Sequence, residues 1–241
     1  MYKEFETRTS YRYLKEVIGS LKEPVCMLGG WAVFFHVNKK FEKAQGRPYL
    51  GSRDIDLGFN ISKDPTALSD TIKVLTGKLR FKPMSFRLVK EIHTETEEEI
   101  KDGVKIPAHF IFPMFVDLIV DSIPNDFKTR FGFDPIDEPI LREVFEKKEY
   151  TILHEFGKNL LLPSAKMLLS MKSGSLHGRD KEHKKIKDIC DIFALAWYSD
   201  LKLDEITPRK MNISDDEFLK AATQLGHDKE EVKSVIGRVT S

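Results

Sequence analysis

Apolar positions in the first part of the chain predict two helices around a short strand. Between residues 10 and 22 they recur at helical spacing, so we predict a helix with Ser10 as its N-cap and an end before Pro24. The apolar run 24–28 predicts a short buried strand. A pair of glycines follows, and the next residues are too uniformly apolar for a surface segment, which predicts a buried helix.

A polar stretch and an alternating stretch come next. Residues 39–52 contain Gly and Pro among polar side chains, which predicts a loop. Residues 53–59 alternate between apolar and polar side chains, which predicts a half-buried strand. Its apolar face carries Ile55, Leu57 and Phe59, and its other face carries Asp54, Asp56 and Gly58.

The middle of the chain predicts four further strands and two helices. Asp64 and Pro65 are typical of a helix start, as N-cap and first helical residue. The acidic stretch 94–103 predicts a solvated hairpin tip. Strands are predicted at 85–93, 104–112 and 114–123, then a helix at 139–148 and a strand at 151–156.

The last third of the sequence is mainly helical in its pattern. Helices are predicted at 163–174, 180–199, 214–226 and 228–239. Strands therefore concentrate before the helices, which predicts an α+β fold. We expect an N-terminal domain over 1–157, with a mixed sheet and flanking helices, and a helical C-terminal domain over 158–241.

Composition narrows the class of protein. The 241 residues carry a formal net charge of +1. This excludes a uniformly basic surface for binding nucleic acid, but it does not exclude a local basic patch. No apolar run approaches the ~20 residues of a membrane span. We expect a soluble cytoplasmic protein with no membrane partner. Cys26 and Cys190 lie in apolar surroundings and are expected to be buried thiols.

The most informative residues are Asp54 and Asp56. Positions two apart on a strand point to the same side, so two carboxylates are brought together at a cost in free energy unless cations compensate them. A rigid carboxylate pair can hold divalent ions that act on phosphates, and oxygen ligands favour Mg²⁺ or Mn²⁺. Without further features, the pair is more typical of an exposed edge of a sheet than of a metal site.

Two further features point to phosphate chemistry. Gly29 and Gly30 stand between an apolar strand and an apolar helix, where a phosphate can approach the backbone, although an ordinary tight turn has the same pattern. Asp117 interrupts an apolar strand, which is costly unless the charge is paired or bound to metal. Asp121 shares its strand parity, but it lies nearer the strand end and is a better cap or turn residue.

The helical part supplies cations. Residues 158–190 contain eight Lys or Arg residues and three Asp or Glu residues. Lys172, with Lys166 in reserve, and Lys187 are candidates to neutralise phosphate charge, and Asp188 is a candidate to position a base, a ribose or a lysine. Asp188 also shares a helix face with Asp191, so a solvated, salt-bridged surface is the alternative interpretation.

The order of these motifs resembles the nucleotidyltransferase superfamily, whose fold is shared with DNA polymerase β, and more closely its abortive-infection AbiEii toxin-like branch. The resemblance covers roughly residues 25 to 197. It rests on LGGWAV, on SRDIDL with Ser52 two residues before the first Asp, on FVDLIV, and on LLLPSAKMLLSMK with KIKDICDI. Relatives often carry Gly-Ser at the glycine pair, and an Arg where this chain has Leu50.

The resemblance implies a role for each matching residue. Asp54, Asp56 and Asp117 would be the catalytic carboxylates and metal ligands, with Asp117 also assisting deprotonation of the acceptor hydroxyl. Catalytic roles also fall to Lys172, which matches the family lysine, and to Asp188. Nucleotide-binding roles would fall to Gly29, Gly30, Ser52, Arg53, Lys166 and Lys187, while Arg47 is the alternative to Arg53 for the missing arginine.

The expected function is transfer of a nucleoside monophosphate from an NTP to an acceptor hydroxyl, with Mg²⁺ or Mn²⁺. By resemblance the acceptor is a tRNA end or a protein side chain, the helical domain closes the nucleotide cleft, and a cognate antitoxin is a possible partner. Two alternatives stay open: a small-molecule nucleotidyltransferase of the kind that modifies aminoglycosides, and a catalytically silent module that binds nucleotide or RNA.

Overall fold

The computed structural model describes residues 2–201 and 213–239. Within them the chain divides into two compact units. The larger unit comprises Tyr2–Leu28 and Gly51–Leu162, and the smaller comprises Gly29–Leu50 and the described residues from Pro163 onward. The proposed division into domains at residues 157 and 158 stays a prediction.

The larger unit is built on a mixed sheet. The strands are β1 (Val25–Met27), β2 (Ile55–Phe59), β3 (Lys82–Met84), β4 (Arg87–His93), β5 (Ile111–Val120), β6 (Ile136–Asp137), β7 (Tyr150–Glu155) and β8 (Lys158–Pro163). Their spatial order is β3-β4-β5-β2-β1-β8-β7, and β6 pairs with β5. The helices of this unit are α1 (Glu4–Ser20), α3 (Pro65–Lys73), α4 (Phe127–Phe131) and α5 (Ile140–Glu146).

Two pairings at the centre of the sheet position the acidic residues. β2 runs parallel to β5 and β4 runs antiparallel to β5. Ile55 and Leu57 of β2 are fully buried, as the alternating pattern predicts. Their burial pins one face of β2 to the core, so the residues between them point to the opposite face.

Helix boundaries differ from the pattern-based prediction at the N-terminus. α1 begins at Glu4, and Ser10 is a buried residue inside it, so its prediction as an N-cap is wrong. The helix begins before Ser10 because polar side chains of its first turns also form contacts: Thr9 and Arg8 both hydrogen-bond to Glu97. The acidic stretch is thus not merely a solvated tip, because Glu97 ties it to α1.

The strands predicted at 104–112 and 114–123 are one strand in the structure, β5, and residues 104–110 lie outside it. Pro113 does not break β5, although proline lacks the N–H that a strand interior uses. β8 is a strand that the pattern missed. The start of α3 is confirmed, since Asp64 accepts hydrogen bonds from the N–H groups of Thr66 and Ala67.

The smaller unit is helical in its described residues. Its helices are α2 (Gly29–Gln45), α6 (Ala165–Ser175), α7 (Glu182–Tyr198), α8 (Asp215–Ala222) and α9 (Lys229–Val239). α7 is the central element, since α2, α6, α8 and α9 all pack against it. The predicted loop at 39–52 is wrong over its first half, because α2 continues to Gln45 and buries Phe41. A single buried aromatic side chain keeps this polar stretch helical.

The fold is therefore a mixed α+β arrangement with eight strands and nine α-helices among the described residues. Cys26 and Cys190 are buried, as predicted. No described helix combines the length and the apolar character needed to cross a membrane.

The burial of β2 gives a stability prediction. Ile55→Ala should lower the free energy of unfolding by about 2–5 kcal/mol, because it removes a fully buried side chain and leaves a cavity. Ile152→Ala on β7 is the matched control; its side chain is exposed, so the change should stay within about 0.5 kcal/mol. Urea denaturation of both variants measures the difference, and equal losses would contradict the assignment of β2 to the core.

Candidate active site

Three carboxylates meet at the centre of the sheet in the larger unit. Asp56 of β2 stands in register with Asp117 of β5. Asp54 lies one residue before β2 begins. Because the two strands are parallel, residues in register point to the same face, which brings Asp56 and Asp117 side by side.

The cation that compensates these charges is Arg87, at the start of β4. The register that pairs Leu88 with Val116 sets Arg87 opposite Asp117. Its Nε donates to Asp117 Oδ1 at 2.7 Å, and its Nη2 donates to Asp117 Oδ2. The same Nη2 lies 3.6 Å from Asp54 Oδ2. One guanidinium therefore binds Asp117 with both arms of its fork and contacts Asp54 as well.

Aromatic rings fix this guanidinium. Its Cζ lies 4.1 Å from the ring centre of Phe115 and 5.2 Å from that of Phe86. Burial by itself would lower the pKa of Arg87, but the hydrogen bonds to Asp117 and the charges of Asp117, Asp54 and Asp56 outweigh it and raise that pKa. Arg87 is accordingly a permanent positive charge at the site.

The described residues hold no ready-made metal cage of three or more His, Cys, Asp or Glu side chains. The donor chemistry nevertheless fits Mg²⁺ in a more limited way. This ion is usually bound by one or two carboxylates, while substrate phosphates and water complete its shell. Asp54 and Asp56 have the oxygen donors that this role needs, while the fork of Arg87 engages both oxygens of Asp117 and lies 3.6 Å from Asp54 Oδ2.

Neighbouring candidates in the same unit have other partners. Arg53 forms an ion pair with Glu6 of α1 at 3.5 Å and lies over the ring of Phe112. Ser52 is buried. Asp121 accepts a hydrogen bond from the N–H of Ile61 at 2.8 Å, so it anchors the turn after β2, as expected for a turn residue.

The glycine pair begins α2 in the smaller unit. Gly29 has φ +59°, a left-handed conformation that glycine adopts without strain, and Gly30 is buried. Leu28, which precedes Gly29 in the chain, donates its N–H to the carbonyl of Asp56 at 2.9 Å. The pair therefore forms the start of α2, with Gly29 in a left-handed conformation, while its proposed contact with a triphosphate stays a prediction.

A second charged cluster, which we call the α6–α7 network, lies in the smaller unit. Lys172 contacts Asp188 Oδ1 at 2.7 Å and Asp191 Oδ2 at 2.9 Å. Arg179 contacts Asp188 Oδ2 at 2.6 Å, and Lys187 pairs with Asp191. The network therefore contains three cations and two carboxylates.

The carboxylates of the α6–α7 network are almost fully buried. Burial alone would raise the pKa of Asp188, but the charges and hydrogen bonds of Lys172 and Arg179 outweigh it and lower that pKa. Burial likewise opposes the charge of Lys172, yet Asp188 and Asp191 raise its pKa. Tyr49 donates its hydroxyl to Asp191 at 2.8 Å, and burial followed by the Asp191 charge raises the Tyr49 pKa well above its usual value.

This burial rules out the alternative of a solvated surface. Lys187, Asp188 and Asp191 are each buried. Lys172 is also shielded from solvent, since only 11% of its side chain is accessible and both of its carboxylate partners are buried. Lys166, by contrast, lies exposed on α6.

Four charged or polar residues of these clusters were not among the predicted site residues: Arg87, Asp191, Arg179 and Tyr49. Arg87 had no distinguishing signal, because the strand predicted at 85–93 also contains Lys90 and Glu91. Its partner was hidden, because no local pattern tells which strand lies beside β4. Tyr49 fell in the predicted loop, and its contact with Asp191 joins residues 142 positions apart.

The α6–α7 network gives a stability prediction. Lys172→Met should lower the free energy of unfolding by roughly 3–5 kcal/mol, because it leaves two buried carboxylates with less compensation. Lys166→Met on the same helix is the matched control and should change it by less than about 0.5 kcal/mol. Chemical denaturation separates the two, and a neutral Lys172→Met would contradict the network.

The lowered pKa of Asp188 predicts the sign of the pH dependence. A depressed folded pKa adds stability above the unfolded value near 3.8, and this is lost as pH falls through the folded pKa. Asp188→Asn should therefore flatten the fall in melting temperature below about pH 5. Asp180→Asn, an exposed change nearby, should keep the wild-type slope. Identical acid slopes in all three proteins would contradict the prediction.

Comparison with known proteins adds little. No protein-family model matches the sequence, and no curated protein is similar to it at a significant level. Among solved structures, the chain is similar to an antigenic nucleotidyltransferase-like protein from Paracoccidioides brasiliensis. The TM-score is 0.43 and the sequence identity 17%, over 99% of this chain and 94% of that chain. A TM-score of 0.43 is too low to establish a common fold or to indicate an activity.

Proposed function

We propose that the chain is a nucleotidyltransferase that moves a nucleoside monophosphate from an NTP to an acceptor hydroxyl and releases pyrophosphate. The observation that carries this proposal is the convergence of Asp54, Asp56 and Asp117 on one face of a rigid sheet. Three carboxylates on one face concentrate negative charge, and Arg87 compensates part of it. A concentration of like charge is costly in a fold unless cations bind to it.

The proposed roles follow from the contacts of each carboxylate. Asp54 and Asp56 would hold Mg²⁺ or Mn²⁺, and when bound the metal would stabilise negative charge on the phosphates. Asp117 would be the third carboxylate and assist removal of the proton from the acceptor hydroxyl. Two hydrogen bonds from Arg87 keep the Asp117 carboxylate in one orientation, which favours a defined approach of the acceptor.

The residues of the smaller unit stay proposed contributors to nucleotide binding. The α6–α7 network brings three cations together among its described contacts, and cations of this kind can bind an anionic ligand. Lys172, Lys187 and Asp188 would then act as members of a network and not as free side chains. The proposal has three further parts. Gly29 and Gly30 would contact the triphosphate, and Ser52, Arg53 and Lys166 would contact the nucleotide. The helices would close a cleft.

The acceptor is proposed from the sequence motifs. They favour a tRNA end or a protein side chain, and a role as the cytoplasmic toxin of a toxin–antitoxin pair. Incubation with each labelled NTP, Mg²⁺ and either total tRNA or lysate tests the reaction. Label in RNA or in protein identifies the acceptor class, and label in a small molecule indicates the aminoglycoside-type alternative.

A catalytically silent nucleotide-binding or RNA-binding module is the second candidate. The observation that favours it is that Arg87 already compensates part of the charge that a metal would meet. Leu50 in place of the arginine of relatives, and Gly30 without a hydroxyl, point the same way. Nucleotide binding without transfer to any acceptor would support this candidate over the enzyme.

Asp56→Ala tests the proposed metal site. Calorimetry should show weaker binding of Mg·NTP by at least about tenfold, since even the outer partners of metal ligands are worth 10–100-fold in affinity. Asp137→Ala, an exposed change in the same unit, is the control and should bind like wild type. Equal affinity in the Asp56 variant and wild type would show that the site is assigned to the wrong residues.

A further inference from the structure

Arg87 lies in the row of side chains that carries the acidic site. The strand order β4-β5-β2 and its registers align Arg87, Asp117 and Asp56 across three neighbouring strands. The guanidinium binds one carboxylate with two hydrogen bonds and lies 3.6 Å from a second. An arginine in this position is a cation built into the place where a divalent ion is proposed to bind.

We propose that Arg87 is the resident counter-ion of the acidic site and suppresses metal binding in the protein without nucleotide. The inference rests on the proposed function for the identity of the metal ligands. It adds that the free site discriminates against bare divalent ions. A metal that arrives with a triphosphate brings its own oxygen ligands, so it needs fewer from the protein.

The Arg87 side chain is held in a fixed position. Only 15% of its side chain is accessible, and its guanidinium packs over the ring of Phe115. A planar fork that binds a carboxylate with two bonds and stacks on a ring is specific to arginine, since lysine offers one point charge. Arg87 is therefore held among the carboxylates, and its side chain does not extend into solvent.

The positive charge of Arg87 weakens the binding of other cations to the acidic site. An opposite charge within about 4–6 Å of a carboxylate shifts its proton affinity by one to three pKa units, which is at least tenfold. The same field acts on any cation that approaches Asp54 or Asp56, and it acts more strongly on a divalent ion than on a proton. Removing the Arg87 charge should thus raise the affinity of the site for a bare metal ion, although it destabilises the fold.

Titration of the full-length protein with Mn²⁺ alone, followed by the electron paramagnetic resonance signal of free Mn²⁺, tests the proposal. Wild type should bind weakly. Arg87→Gln should bind at least about tenfold more tightly, because the carboxylates lose their counter-ion. Arg80→Gln, which removes an arginine paired with Glu99 at the surface, has the same change in net charge and should match wild type.

Three further variants make the test specific. Arg87→Lys keeps the charge but loses the fork, so its Mn²⁺ affinity should lie between those of wild type and Arg87→Gln. Asp56→Ala combined with Arg87→Gln should abolish the gain, which places the metal at the acidic site. Arg87→Met, whose stem can still pack on Phe115, replaces Arg87→Gln if circular dichroism shows that the glutamine variant is unfolded.

A folded Arg87→Gln or Arg87→Met protein with no gain in Mn²⁺ affinity would overturn the proposal, and so would an equal gain in Arg80→Gln or in Arg87→Lys. The measurement contains neither nucleotide nor acceptor. A tighter Mn²⁺ site without any nucleotide transfer would therefore support the role of Arg87 while refuting the proposed enzyme activity.

Discussion

The parallel register of β2 with β5 sets Asp56 beside Asp117, and the other features of the acidic site depend on that pairing. Like charges held this close require a cation. β4 supplies one, because its own register on β5 places Arg87 opposite Asp117. The buried Ile55 and Leu57 keep β2 in this register, since a slip by one residue would turn the carboxylates into the core. Core packing and site chemistry are thus set by the same strand.

The α6–α7 network also holds carboxylates close together, but it compensates their charge with several cations. Its carboxylates are buried in a helical unit, where each charge must be matched at short range. Three cations surround two carboxylates, and Tyr49 adds a hydroxyl donor.

Much of the local structure was predictable, because local physics decides it. The alternation over residues 53–59 reflects one buried face of β2, and Asp64 with Pro65 begins α3 as their side-chain chemistry requires. Long-range contacts decided what failed. α2 continues through a polar stretch because Phe41 is buried, and Ser10 lies inside α1 because that helix begins earlier than its apolar face. A local sequence pattern predicts neither the burial of Phe41 nor the early start of α1.

The strand that carries Asp56 and the interruption of an apolar strand by Asp117 could be predicted from the sequence, because strand periodicity and the cost of a buried charge are local properties. Which charges meet depends on the tertiary structure. Arg87 and Asp117 are 30 positions apart, and Lys172 and Asp188 are 16 apart. Their pairing depends on strand order and helix packing. That is the physical reason why the carboxylates were found from the sequence, while the arginine that compensates them and the burial of the lysine were not.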